Sequence, residues 1–154
     1  MTEGRIFSIA ISKERGQLKT EVPEVVVVAG YGIEGDGHAG EWGRQVTCLN
    51  YESVVKSNEQ NGLSMGSGDF AENILIEGLD FNELKIGSQM KFGSSVILEV
   101  SQIGKEDHPS IVTRTYGVSL LPSEGLFCKV LAGGVIKKRD KVEVKSSPHL
   151  GSIS

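Results

Sequence analysis

Gln89-Met90-Lys91-Phe92-Gly93-Ser94-Ser95-Val96-Ile97-Leu98-Glu99-Val100-Ser101-Gln102-Ile103 reads as a strand, a glycine turn and a longer strand. Apolar and polar residues alternate along Gln89–Phe92. Val96–Ile103 is rich in the β-branched residues that suit a pleated surface. The same grammar recurs outward in both directions. Residues 5–12 carry Ile6, Phe7, Ile9 and Ile11. Residues 21–29 hold the run Val25-Val26-Val27-Val28 behind Pro23 and read as a buried strand. Residues 45–49, 74–76, 126–131, 135–137 and 141–145 add further short strands, most of them bounded by glycine. In residues 126–131, Leu126, Cys128 and Val130 fall on one face, which assigns Cys128 to the core.

One long helix interrupts this pattern. Asn50 is a suitable N-cap for Tyr51–Asn61, Glu52 and Lys56 pair at i,i+4, and Gly62 stops the helix. Ile111–Tyr116 is expected to form a helical turn. Gly66 to Gly68 reads as a flexible approach to the next strand. Many short strands, glycine turns and one longer helix predict a mainly β protein with minor α, a closed or nearly closed β-barrel. A barrel also removes the edges that such apolar strands would expose.

The totals set limits on function. The chain has 154 residues, enough for one domain with its own core. Net charge is −4, so no global basic field invites nucleic acid or an anionic membrane. Two cysteines, Cys48 and Cys128, lie in apolar stretches as free core thiols do, which fits a reducing, cytoplasmic location. The N-terminus lacks the pattern of a signal peptide, and no apolar run reaches the ~20 residues that span a bilayer. Residues 4–145 are expected to form the domain, with 146–154 as a polar, frayed tail.

Chemistry concentrates in residues 32–46, Gly-Ile-Glu-Gly-Asp-Gly-His-Ala-Gly-Glu-Trp-Gly-Arg-Gln-Val. Its glycines space out Asp36, His38, Trp42 and Arg44. Further polar clusters stand at Asp69-Phe70-Ala71-Glu72-Asn73 and Lys105-Glu106-Asp107-His108. Taken singly, each has a plain structural explanation: Asp36 as a turn residue, His38 as a structural histidine, Asp69 as a cap. Asp36, His38, Asp69, Glu72, Asp107 and His108 could ligate a metal, but no metal-ligand spacing links them. No metal site is assigned. A Gly-x-Ser-x-Gly elbow is absent, and Gly30-Tyr31-Gly32-Ile33-Glu34-Gly35 matches a dinucleotide fingerprint only in letters, with no helix after it. Anion binding suits the set better. Arg44 offers a planar fork, Lys105 a mobile charge, and the glycine loops free N–H groups. Asp69 and Glu72 could hold these cations or recognise N–H groups of a heterocycle.

The fragments Gly-Ile-Glu-Gly-Asp-Gly-His-Ala-Gly from Gly32, Arg44-Gln45-Val46, Gly68-Asp69-Phe70-Ala71-Glu72-Asn73-Ile74, Gly104-Lys105-Glu106 and the run from Gly125 to Gly134 stand in the order of the MOSC domain. The chain resembles that family over nearly its whole length. The resemblance implies a β-barrel-rich fold and association with the molybdenum cofactor, an anionic pterin. It implies that Asp36, His38, Arg44, Asp69, Phe70, Glu72, Asn73 and Lys105 shape the cofactor-binding pocket. The implied role is that of a carrier or partner in cofactor handling, beside a cofactor-biosynthesis protein or a molybdoenzyme. No pyridoxal phosphate is expected, because that chemistry belongs to a separate domain of the sulfurases.

The chain also departs from the family pattern. Members commonly carry a cysteine soon after Gly-Lys-x, proposed to act as sulfur carrier or molybdenum ligand. Here the loop reads Gly104-Lys105-Glu106-Asp107-His108-Pro109-Ser110. Neither Asp107 nor Ser110 can form a persulfide, so catalytic residues stay unassigned. Sulfur transfer or a molybdenum-dependent reductase would need Cys48 or Cys128 in the pocket. A MOSC-like chain kept only as an interaction module is the remaining alternative. Ala71 replaces a commoner glycine, and Gly37 a commoner basic residue.

Overall fold

The computed structural model describes residues 3–106 and 110–145. Asp107, His108 and the 146–154 tail named above lie outside them. Strands β1 (Glu3–Ile11), β2 (Thr20–Val22), β3 (Glu24–Val28) and β4 (Gly32–Ile33) lead to β5 (Val46–Asn50), helix α1 (Tyr51–Asn61) and β6 (Ile74–Glu77). A 3-10 turn at Phe81–Glu83 precedes β7 (Gln89–Phe92) and β8 (Val96–Ile103). Helices α2 (Ile111–Tyr116) and α3 (Leu121–Glu124) then lead to β9 (Leu126–Ala132), β10 (Gly134–Lys137) and β11 (Lys141–Val144).

The β7–β8 hairpin pairs as its alternation requires, with Phe92 opposite Val96 across a turn in which Gly93 has φ +64°. Met90, Phe92, Val96, Leu98 and Val100 all point inward and are buried. Strands run in the order β11-β7-β8-β9-β5-β6-β1, and β1 pairs with β11 to close a seven-strand barrel, with β2 added outside β1. Among the described residues its pairings are antiparallel except β5 with β6. A parallel pair needs a crossover connection, which α1 and the loop after it supply. The helix is bounded as its sequence predicts. Asn50 accepts from Glu52 N–H, and Gly62 ends it in the left-handed conformation at φ 64°.

Alternation divides the apolar residues between two sides of the wall. Val46 and Cys48 of β5, Ile74 and Ile76 of β6, and Leu126, Cys128 and Val130 of β9 fill the barrel. Their neighbours Leu49, Leu75 and Phe127 face outward. There they pack with Val54 of α1, Met65, Phe70, Val112 of α2 and Leu121 of α3. In β1 the register slips between Ile6 and Ser8, so Ile6 and Ile9 both reach the interior. Phe7, inside the bulge, turns outward to stack on Tyr51 at 3.7 Å.

The valine run differs from its expected form. Residues 21–29 split at Pro23 into β2 and β3, and β3 sits in a separate sheet of order β10-β3-β4. Val25 and Val27 are buried, whereas Val26 is 41% exposed. A sheet covered on one face alternates, however apolar its sequence.

Candidate functional site

Outside the barrel wall, β5 and β9 meet the 34–44 loop, the 66–73 loop, the turn after β8 and helices α2 and α3. A cavity of about 340 Å³ opens there, lined among others by His38, Trp42, Arg44, Phe70, Lys105 and Phe127. Arg44 precedes β5. Its Nε donates to Gln102 Oε1 at 3.2 Å, its Nη2 lies 3.5 Å from the Glu106 carboxylate, and its guanidinium sits 5.1 Å over the Phe127 ring. Gln102 is itself fixed by donating to Gly104 O at 2.8 Å. Gly104 has φ +73°, and a Cβ there would lie 2.6 Å from Pro122 O. The turn that delivers Lys105 therefore accepts only glycine. Burial lowers the pKa of Lys105, the Arg44 charge lowers it further, and Glu106 opposes both. Two cations held this close create a positive field that an anion would relieve.

The 34–44 loop adds the other wall. Trp42 Nε1 donates to His38 O at 2.7 Å, and the two rings lie nearly parallel, 4° apart, with centroids 6.3 Å apart. Arg15 stacks 4.1 Å over Trp42 and donates to Gly37 O. The space beside Gly37 is taken: a Cβ there would fall 2.6 Å from the Glu14 backbone. That accounts for glycine at this position, and Arg15 brings a positive charge to the same corner.

Of the eight residues expected at the site, His38, Arg44, Phe70 and Lys105 line the cavity. Asp36, Asp69, Glu72 and Asn73 are not in its lining and hold backbone in place behind it. Asp36 is buried under His38. It accepts from Ser12 N at 3.1 Å and His38 N at 3.0 Å, and pairs with Lys19 Nζ at 2.7 Å. Burial raises the Asp36 pKa, but the Lys19 contact and the two amides outweigh it, so the net displacement is downward. Asp69 Oδ2 accepts from Gly66 N. Glu72 is fully buried and accepts from Gly68 N at 2.7 Å and Phe70 N at 3.1 Å. Burial pushes its pKa up to about 7 against the lowering effect of those amides. Asn73 Oδ1 accepts from Thr47 N at 3.0 Å, and its Nδ2 donates to Ala10 O at 3.1 Å. The Gly66–Gly68 approach is a clamp rather than a loose linker. Lys19 N donates to Gly68 O at 3.0 Å, and any side chain at Gly68, φ +84°, would collide with Lys19 O.

Sequence reasoning did not single out Lys19, Gln102, Phe127 or Arg114, which reaches the cavity lining from α2. Phe127 carried a signal: with Leu126 and Cys128 in the barrel, it had to face outward. Lys19 and Gln102 carried none, because their partners are remote in sequence. The same alternation decides the place of the thiols. Cys48 and Cys128 are fully buried inside the barrel, while Thr47 and Phe127 beside them line the cavity on the other face. The Cys128 side chain and burial push the Cys48 thiol far up, away from the reactive thiolate. Among the described residues no three His, Cys, Asp or Glu side chains gather as a metal site would require.

Fold and pocket together define a small β-barrel protein with a cation-bearing cleft on the flank of its wall. Residues 35–105 match the family model of the MOSC domain. That stretch holds all eight residues discussed above. Similar solved structures include the YuaD protein from Bacillus subtilis, with TM-score 0.74 and 19% identity, covering 94% of this chain and 97% of that one. YiiM from Geobacillus stearothermophilus gives 0.72 and 21%, over 93% and 75%. YiiM from Escherichia coli gives 0.66 and 20%, over 93% and 70%. At these identities the likeness speaks for the fold. No curated protein matches the sequence. Among the described residues no helix is long and apolar enough to cross a membrane.

Proposed function

We propose that this cleft binds the molybdenum cofactor or a closely related anionic pterin, and that the protein carries or presents it to a cofactor-biosynthesis protein or a molybdoenzyme in the cytoplasm. The observation that carries this reading is the placing of Arg44 and Lys105 beside Phe70 and Phe127 in one cavity. The donor set suits the ligand class. Arg44, steadied by Gln102, offers a fork to phosphate or another oxyanion. Lys105 adds a point charge, and Trp42 and Ile111, partly exposed in the lining, supply apolar surface for a flat heterocycle above the buried Phe70 and Phe127. When bound, the cofactor would supply the redox metal and its dithiolene. The chain supplies binding, charge balance and shelter from water. With both thiols inside the barrel, the residues present favour holding such a ligand over passing sulfur to it.

The test is to incubate the apo protein with isolated molybdenum cofactor and follow its retention on a sizing column. Wild type should retain it. Arg44→Ala and Lys105→Ala should each weaken binding about tenfold or more, since a hydrogen bond to a charged group is worth roughly 1.5–3 kcal/mol. No retention by the folded wild type would overturn the reading.

A further inference from the structure

Behind His38 lies a buried ammonium group whose hydrogen bonds are fully accounted for. The Lys19 side chain has no solvent exposure. Its Nζ lies 2.7 Å from Asp36 Oδ1, 3.1 Å from Ser12 Oγ and 3.1 Å from His38 Nδ1. Ser12 Oγ donates its own proton to Glu14 O at 2.9 Å, which leaves lone pairs for Lys19. An ammonium has three donors and no acceptor. Three donors thus meet three acceptors, and the imidazole nitrogen at 3.1 Å must be one of them. A neutral imidazole that accepts at one nitrogen carries its proton on the other.

We propose that Lys19 is a positioning residue that holds His38 as a neutral imidazole protonated on Nε2, so that the pocket offers an N–H donor to an oxygen of its ligand. With Nδ1 turned back to Lys19, the Nε2 edge is what the ring presents to the cavity it lines. His38 is then neither base nor cation there. The Lys19–Asp36 pair is neutral as a unit, so the positive charge of the cleft comes from Arg44, Lys105 and Arg114 in its lining and Arg15 beside Trp42. The groups acting on His38 agree with this state. Burial and the Lys19 charge disfavour a second proton most strongly, Arg15 and Lys105 add to them, Asp36 opposes, and the result is a pKa of about 4. A proton on Nδ1 would point at an ammonium group 3.1 Å away. The proposal rests on the cofactor reading only for what the N–H meets, since the protonation pattern belongs to the unliganded protein.

The experiment is a long-range proton–nitrogen spectrum of the uniformly 15N-labelled full chain at pH 7, with the His38 signals assigned by their loss in His38→Gln. The expected pattern is a protonated, pyrrole-type Nε2 and an unprotonated, pyridine-type Nδ1. In Lys19→Met the Nδ1 signal should move and the single tautomer should give way, because Asp36 Oδ2 at 3.8 Å then competes for an Nδ1 proton. A wild-type ring protonated on Nδ1, or on both nitrogens, overturns the proposal. So does a folded Lys19→Met protein with the His38 signals unchanged. Should Lys19→Met not fold, the wild-type spectrum alone decides. No ligand enters these spectra, so a failed cofactor retention leaves them interpretable.

Discussion

Replacing Asn73 by alanine separates a structural role from direct ligand contact. Its side chain reaches across β6 to both neighbours, accepting from Thr47 N of β5 at 3.0 Å and donating to Ala10 O of β1 at 3.1 Å, with no solvent exposure. Alanine removes both bonds and leaves a buried donor and a buried acceptor unpaired. Each orphan costs about 1–3 kcal/mol, so the variant should lose roughly 2–6 kcal/mol. Total stability of a domain is about 5–15 kcal/mol, so the loss is a large share of it. At a urea slope of about 2 kcal/mol per molar, the unfolding midpoint should fall by about 1–3 M. Equilibrium unfolding followed by far-ultraviolet circular dichroism and by the single Trp42 measures it. Anion binding by the folded variant should change little, since Asn73 is absent from the cavity lining. An unchanged midpoint combined with lost cofactor retention would show that Asn73 meets the ligand instead, and would refute the reasoning.

Other outcomes follow from the same geometry. Ala71 has φ 63°, a conformation costing an alanine about 1–2 kcal/mol; Ala71→Gly should therefore stabilise the protein by about 1 kcal/mol net, read as a higher urea midpoint. Glu72 titrates at about 7 in the fold, against 4.5 for a free glutamate side chain. The folded form holds the proton more tightly, so its contribution is fully present below pH 4.5 and is lost as pH rises through about 7. Relative to the non-titrating Glu72→Gln, wild type should lose about 3 kcal/mol of stability over that window, measured by urea unfolding at several pH values. An equal pH dependence in both proteins would contradict this assignment. Cys48 and Cys128, sealed in the barrel, should resist iodoacetamide in the native state and label only on unfolding, as mass spectrometry can show.

Much of the barrel was legible because its strands obey alternation. Leu126, Cys128 and Val130 could be assigned inward from spacing alone, and Asn50 with Gly62 delimited α1. The valine run misled for a physical reason: valine is as content on the open face of β3 as on the covered one, and Val26 shows it. The candidate site was legible in its cations but not in its carboxylates. Glu72 and Asn73 look like ligand-binding groups in a linear sequence. In space they satisfy the amides of Gly68, Phe70 and Thr47, which would otherwise be buried unpaired. Lys19 was invisible because a lone lysine after Leu18 is ordinarily a surface residue. Its partner Asp36 lies on another loop, and only the folded chain joins them.

The pairing of β1 with β11 has a consequence for how the molecule is made. Glu3 lies opposite Glu143 and Arg5 opposite Lys141, so the wall is sealed by two strands far apart in the chain, β1 being made well before β11. Until β11 emerges, the flanks of β1 and β7 that it will cover remain open ladders, a state prone to self-association during synthesis.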